Sequence, residues 1–281
     1  MTGVALKRVD SLTHDDWRHD RRSGIGGSDA AAVMGVNKYR DSFCTYVDKV
    51  CEELPSEEGR PDYLIESAYW GTALEPVVAQ EFAKQTGLHL IKPAYLYTSA
   101  VYPFMRATLD YLVADPKQWP FSEPALATEM GLVHSADYIE QCFRTAGSWA
   151  GEYPGELALS LGPLDIKTCS AYSKKDWETG PSAYCFAQLQ HYMLALGKEQ
   201  AWAACLIGGQ RFVKYRVEFD PEYSDRLLEA ERDLWARVLT GSPPEADQKC
   251  SDVAEATERL LRNTGVLRSI HPATKSLPGW N

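Results

Sequence analysis

Leu164-Asp165-Ile166-Lys167-Thr168 forms the heart of a predicted strand over 161–168. Side chains alternate across a strand, so Asp165 and Lys167 point to one face and Ile166 to the other. An acid and a lysine two apart on one face, with a β-branched residue turned to the core between them, suit a metal-assisted hydrolase. The acid holds Mg²⁺. The lysine orients or helps deprotonate a water and offsets charge on a scissile phosphate. Mg²⁺ takes oxygen ligands and keeps several waters, so two or three carboxylates plus a backbone carbonyl suffice. Alone, an Asp-x-Lys is weak, because alternating charges are common on half-exposed strands.

The flanking segments place this strand in a mixed α/β sheet. Strands are predicted at 88–97, 104–113, 201–207 and 211–219, the last two joined by a hairpin turn at Gly208-Gly209. A helix over 182–197 separates the third and fourth strands, and 221–240 is a final amphipathic helix. Upstream, 13–22 reads as a short polar helix. A small-residue helix then begins with Ser28 as its N-cap and ends at Gly35. Further helices follow at 41–52 and 62–86, the latter with Trp70, Leu74, Val77, Val78 and Phe82 as its apolar stripe and Gly87 as its stop. Residues 115–160 are too long for a turn and carry a net charge of −5. They read as an inserted sub-structure, partly helical around 134–146. The domain spans 1–240. Residues 241–281 read as linker and tail with one short helix at 251–263.

Composition narrows the function classes. With 44% hydrophobic and 24% charged residues over 281 positions, the chain is an ordinary globular one rather than disordered or fibrous. No apolar run approaches the ~20 residues of a membrane span, and the first residues lack the apolar core of a secretory leader. The seven cysteines form no CxxC pair, which speaks against zinc knuckles and a disulfide framework and for a reducing cytoplasm. The six histidines make no HxxxH or HExxH pattern, and neither GxSxG nor a P-loop occurs. A net charge of −10 argues against broad coating of nucleic acid, yet 18–40 carries a local excess of three positive charges.

Three further positions can join Asp165 and Lys167. Asp110 interrupts the otherwise apolar and aromatic ATLDYLV. An acid there needs a metal, a cation such as Arg106, or a bend at the strand end. Glu75 lies four residues after Gly71 on the long helix, and a mid-helix glycine suggests close approach by another backbone or by ligand. The alternative is a solvent-facing glutamate. Gln188 and Tyr192 share one helical face and can hydrogen-bond phosphate or a metal-bound water; Gln190 is grouped with them.

Taken in order, Gly71-x-x-x-Glu75, Asp110, Asp165-x-Lys167 and Gln188-x-x-x-Tyr192 resemble the RecB-type branch of the PD-(D/E)XK nuclease superfamily. Residues 21–35 (RRSGIGGSDAAAVMG) and 70–82 (WGTALEPVVAQEF) are similar to its YqaJ-like viral recombinase family, that of the phage lambda-type exonucleases. The resemblance covers about 18–220, interrupted at 115–160. It implies a core of helix, three-stranded meander, helix and further strand. It implies that Asp110, Asp165, the Ile166 carbonyl and Glu75 hold Mg²⁺, with Mn²⁺ able to substitute, and that Lys167 assists the attacking water. Gln188 and Tyr192 then edge the site, and Arg21 or Arg22 with Ser28 hold a 5′-phosphate. The implied activity is a Mg²⁺-dependent 5′→3′ exonuclease on double-stranded DNA ends, leaving 3′ single strands for recombination in a bacterial cytoplasm. A ring-shaped homotrimer and a single-strand annealing protein are the implied partners. The alternatives are a structure-specific or nicking endonuclease of the same fold, and a non-catalytic DNA-binding or protein-interaction module. Two features depart from the pattern: an aspartate where relatives often carry glutamate at position 165, and the long 115–160 insertion.

Overall fold

A computed structural model describes residues 4–8, 20, 22–51, 62–93, 95–118, 127–128, 131–135, 157 and 159–264. The predicted strand is present as β9 (Ser160–Cys169), inside a seven-stranded sheet ordered β11-β10-β9-β6-β3-β8-β7. It runs parallel to β10 (Gln200–Ile207) and antiparallel to β6 (Tyr111–Ala114). β11 (Arg211–Glu218) closes one edge through the expected hairpin. Its two glycines adopt φ of 60° and 71°, the left-handed conformation that a tight hairpin turn requires.

Both long strands expected at 88–97 and 104–113 break in the middle. The first becomes β3 (His89–Lys92) and β4 (Tyr95–Ser99); the second becomes β5 (Met105–Ala107) and β6. β3 pairs with β6 in the large sheet. β4 pairs with β5 in a second sheet ordered β1-β4-β5-β2, where β1 is Val4–Arg8 and β2 is Ile25–Gly26. The result is one long hairpin creased across two sheets. Pro93, which has no N–H for a ladder, follows β3 directly. On the other arm the crease is Thr108-Leu109-Asp110. Asp110 therefore stands in a bend rather than within a strand.

Two helices cover the large sheet. α3 (Asp62–Thr86) lays Val78, Ala79 and Phe82 on Leu90, Val113, Leu164 and Ile166. Of its expected stripe only Val78 and Phe82 are buried, while Trp70 and Val77 are about half exposed. On the opposite face, α4 (Ala183–Leu196) packs Cys185, Leu189 and Met193 on Ile91, Leu112, Ala203 and Cys205. Ser182 caps α4 through Cys185 N, and Gly197 ends it at φ 65°. The strand alternation holds: Ile166 faces α3 and Asp165 faces α4.

α1 (Gly27–Val33), α2 (Ser42–Val50), α5 (Pro221–Thr240) and α6 (Val253–Asn263) build a further layer. Ser28 does not cap α1. The cap is Gly26, whose N–H donates to Asp29 Oδ2 at 2.9 Å, and Ser28 is already inside the first turn. The tail helix expected at 251–263 is α6, and it is docked. Val253 and Ala256 join Phe43, Val47 and Leu234, and Arg259 Nη1 pairs with Asp48 Oδ1 at 2.7 Å. In the inserted segment, β7 (Ala127–Thr128) and β8 (Gly131–Ser135) extend the large sheet, β8 lying parallel to β3. Residues 134 and 135, expected to start a helix, thus belong to a strand; 136–146 lie outside the described residues. So does most of the expected helix at 13–22.

Candidate active site

The crease delivers Asp110 to the end of β6, beside the middle of β9. Tyr111 pairs with Leu164, and there the β6 ladder stops. The next β9 group on that side, Ile166 N–H, donates to Asp110 Oδ2 at 2.7 Å. The carboxylate replaces the missing strand carbonyl and is anchored by it. A strand residue directs its N–H and C=O to the same side, so the Ile166 carbonyl also faces this edge.

Asp165 lies next to it, 1% exposed. Lys167 Nζ sits 2.7 Å from its Oδ1 and 2.6 Å from its Oδ2, and Cys185 Sγ is 3.4 Å from Oδ2. Burial pushes the Asp165 carboxyl up; Lys167 pulls it down and the neighbouring Asp110 charge pushes it up, leaving it at about 6. Burial alone lowers the Lys167 ammonium, but the two aspartates outweigh it and hold the lysine well above its ordinary value. Lys167 is thus a firmly protonated cation, with a side chain 28% exposed.

Glu75 is not gathered with this pair. Its Oε1 is held by Lys92 Nζ at 2.5 Å, and the same ammonium lies 4.5 Å from the centre of the Tyr111 ring. Burial, then the charges of Glu75 and Asp110, push the Tyr111 phenol up to about 12. Glu75 therefore flanks the site beyond Tyr111. Among the described residues, no group of three or more His, Cys, Asp or Glu side chains is placed to hold a metal ion. The donor set is still the one Mg²⁺ favours: two carboxylates and a carbonyl oxygen, with water completing the shell.

Gln188 and Tyr192 come to the site, but behind it. Gln188 Nε2 donates to Tyr192 Oη at 2.7 Å, and that hydroxyl donates to Thr108 O at 2.7 Å, just ahead of Asp110. They are 6% and 4% exposed, so they brace the bend from inside instead of meeting solvent. Gln190 does not reach the site. It is fully buried on another side of α4, where its amide joins Glu218 O, Asp220 N and Ser224 Oγ.

The glycine-rich turn behaves differently from a phosphate cradle opened to solvent. A Cβ on Gly27 would fall 2.4 Å from the Tyr192 ring, so this glycine serves a protein contact. Ser28 is half-buried, its carbonyl 3.4 Å from Tyr184 Oη. Arg22 Nε donates to Asp48 O at 2.6 Å, Arg40 pairs with Asp48 and Asp252, and Lys49 pairs with Asp29. Arg22, Arg40 and Lys49 are therefore engaged within the fold. Arg21 lies outside the described residues. Lys92, Tyr111 and Cys185 also border the site, and sequence reasoning misses them. Lys92 ends a strand and Cys185 sits in an apolar helix face, and neither spacing nor composition points from them to Asp165.

Residues 16–199 match the YqaJ-like viral recombinase domain. The chain belongs to that family. The YqaJ-like family falls within the PD-(D/E)XK nuclease superfamily, and the mixed α/β architecture described above matches a core of that kind. A relative described as uncharacterized protein YqaJ, from Bacillus subtilis (strain 168), is 31% identical over 247 residues. The match covers 86% of this chain and 62% of the relative, so the chain spans less than two thirds of that protein's length. Two crystal structures share the fold at a TM-score of 0.50 and 15% identity, covering 90% of this chain and 99% of theirs. They are the alkaline exonuclease LHK-Exo from Laribacter hongkongensis, and LHK-Exo in complex with dAMP. Among the described residues, no helix is long and apolar enough to cross a membrane.

Proposed function

We propose that this YqaJ-like chain is a Mg²⁺-dependent deoxyribonuclease that digests linear double-stranded DNA from 5′ ends, leaving 3′ single strands for recombination. The observation that carries the reading is the meeting of Asp110 with Asp165 and Lys167, 55 and 57 positions apart in sequence, at one strand end. Asp110, Asp165 and the Ile166 carbonyl would hold the metal. Bound there, Mg²⁺ supplies Lewis acidity toward the phosphate and lowers the pKa of its water.

The chain's own groups do the rest. Ile166 N–H fixes one oxygen of Asp110 and leaves the other for a ligand. Lys167 orients Asp165 and, being protonated, acts by charge and hydrogen-bond donation toward a phosphate oxygen or the attacking water, not as a proton acceptor. Glu75 and Lys92 form the flank beyond Tyr111, where Glu75 can support the metal's waters rather than the ion itself. Ser28, with Arg21 or Arg22, is the proposed 5′-phosphate pocket; Arg22 Nε is already given to the Asp48 carbonyl, and the guanidinium carries further N–H donors on its Nη groups. A homotrimeric ring working beside an annealing protein completes the proposal, and a ring would place basic side chains inside an otherwise acidic surface.

Purified protein with Mg²⁺ is expected to degrade linear duplex and spare covalently closed circles, and to prefer a 5′-phosphate over a 5′-hydroxyl. Intact linear duplex under Mg²⁺ and Mn²⁺ would overturn the reading. Cutting of closed circles would replace the exonuclease with an endonuclease, and equal rates on the two ends would remove the phosphate pocket.

A further inference from the structure

Two carbonyls of the chain leading to Asp110 are held from α4 by adjacent residues. Tyr192 donates to Thr108 O, as described above. His191 places Nε2 2.9 Å from Arg106 O. A carbonyl can only accept, so Nε2 carries a hydrogen. The other ring nitrogen, Nδ1, lies 2.7 Å from Glu231 Oε1 on α5. Both side chains of this pair are 0% exposed, and the hydrolytic chemistry makes no use of either.

The pair is a poor device for stability alone. Glu231 Oε2 has no hydrogen-bond partner among the described residues. Buried ion pairs with unsatisfied atoms commonly contribute less than well-packed apolar residues of similar volume. What the pair supplies is direction. With Nδ1 tied to a carboxylate on a separate helix, the ring cannot flip, and Nε2–H stays aimed at Arg106 O. Arg106 and Thr108 precede Asp110 by four and two residues, and Ile166 N–H takes the carboxylate at the end of the run. α4 therefore grips alternate carbonyls of one short segment whose last side chain is a proposed metal ligand.

We infer that His191, aimed by Glu231, is a positioning residue that sets the path of 106–110 so that Asp110 stands beside Asp165 in cation-binding geometry. The inference rests on the metal-dependent reading above. Its test is Mn²⁺ binding without DNA, read from the electron paramagnetic resonance of free Mn²⁺, with circular dichroism melting as the check on folding. His191→Gln carries an amide nitrogen near the place of Nε2, and His191→Asn carries one near Nδ1. His191→Gln is expected to stay within about threefold of the parent Kd. His191→Asn is expected to weaken binding by about tenfold or more, the range for groups that orient metal ligands. Glu231→Ala, which keeps the imidazole but frees it to rotate, is expected to weaken binding similarly.

A folded His191→Asn with the parent Kd would overturn the inference. So would equal weakening in the Gln and Asn variants, or loss of folding in both His191→Asn and Glu231→Ala, which would mark a purely structural pair. A parent protein that binds no Mn²⁺ is a different failure: it removes the metal reading of Asp110 and Asp165, and this inference with it.

Discussion

Lys167 is the residue on which the chemistry turns. It is the cation against both oxygens of a carboxylate that burial would otherwise protonate. Lys167→Ala is expected to lower cleavage by about 10²–10³-fold, as for loss of a positioned charge donor, while the far-ultraviolet dichroism stays that of the parent. Steady-state cleavage of linear duplex checks the first, and a spectrum the second. Asp165 sets a pH dependence whose sign follows from its position. Its folded value of about 6 lies above the ordinary 3.8, so the metal-free fold holds this proton more tightly than the unfolded chain. The stabilisation from this group is fully present below about pH 4 and lost as the pH rises through 6. A divalent ion needs the proton gone, so Mn²⁺ affinity is expected to fall about tenfold per pH unit below 6 and to level off above it. Calorimetric titration from pH 5 to 8 measures this, and a flat profile would count against Asp165 as a ligand.

Among the elements, two glycines that look alike in sequence have opposite meanings. Gly71 suggests close approach by another backbone or by ligand, and a Cβ there would meet only Thr168 Oγ1, at an ordinary 3.8 Å, so no backbone of the described fold calls for it. Nothing within the described fold requires it, so Gly71→Ala is expected to stabilise by about 0.5–1 kcal/mol through helix propensity. Gly27 faces the Tyr192 ring, which is buried and pinned at its hydroxyl by Gln188 and Thr108 and so has no room to retreat. Gly27→Ala is expected to destabilise by about 1–3 kcal/mol. Urea denaturation of the two variants checks both signs. The same contrast shows what element-level reading can reach. The faces of β9 followed from its period of 2, and the helix expected over 182–197 is α4, bounded by the Ser182 and Gly197 caps. The division of each long strand between two sheets did not, because a crease depends on which ladder each half joins.

For the molecule as a whole, the last described helix is a structural member and not a tail. α6 covers Phe43, Val47 and Leu234 with Val253 and Ala256, and ties Arg259 to Asp48. A chain ending after Gly241 is expected to melt roughly 5–10 °C lower, from about 2–3 kcal/mol of lost apolar burial. Unchanged melting would return 241–281 to the status of an appendage.

Sequence alone determined the chemistry available: which residues could serve, their order, and the pairing of Asp165 with Lys167 on one face. Those are properties of near neighbours and of chain order, which local geometry dictates. Only the tertiary structure decided where they meet. Asp110 reaches Asp165 through a hairpin crease, Glu75 turns to Lys92, Gln188 and Tyr192 brace from within, and Gln190 is spent on α5. Each of these depends on pairing between segments tens of residues apart, and no local period carries that information.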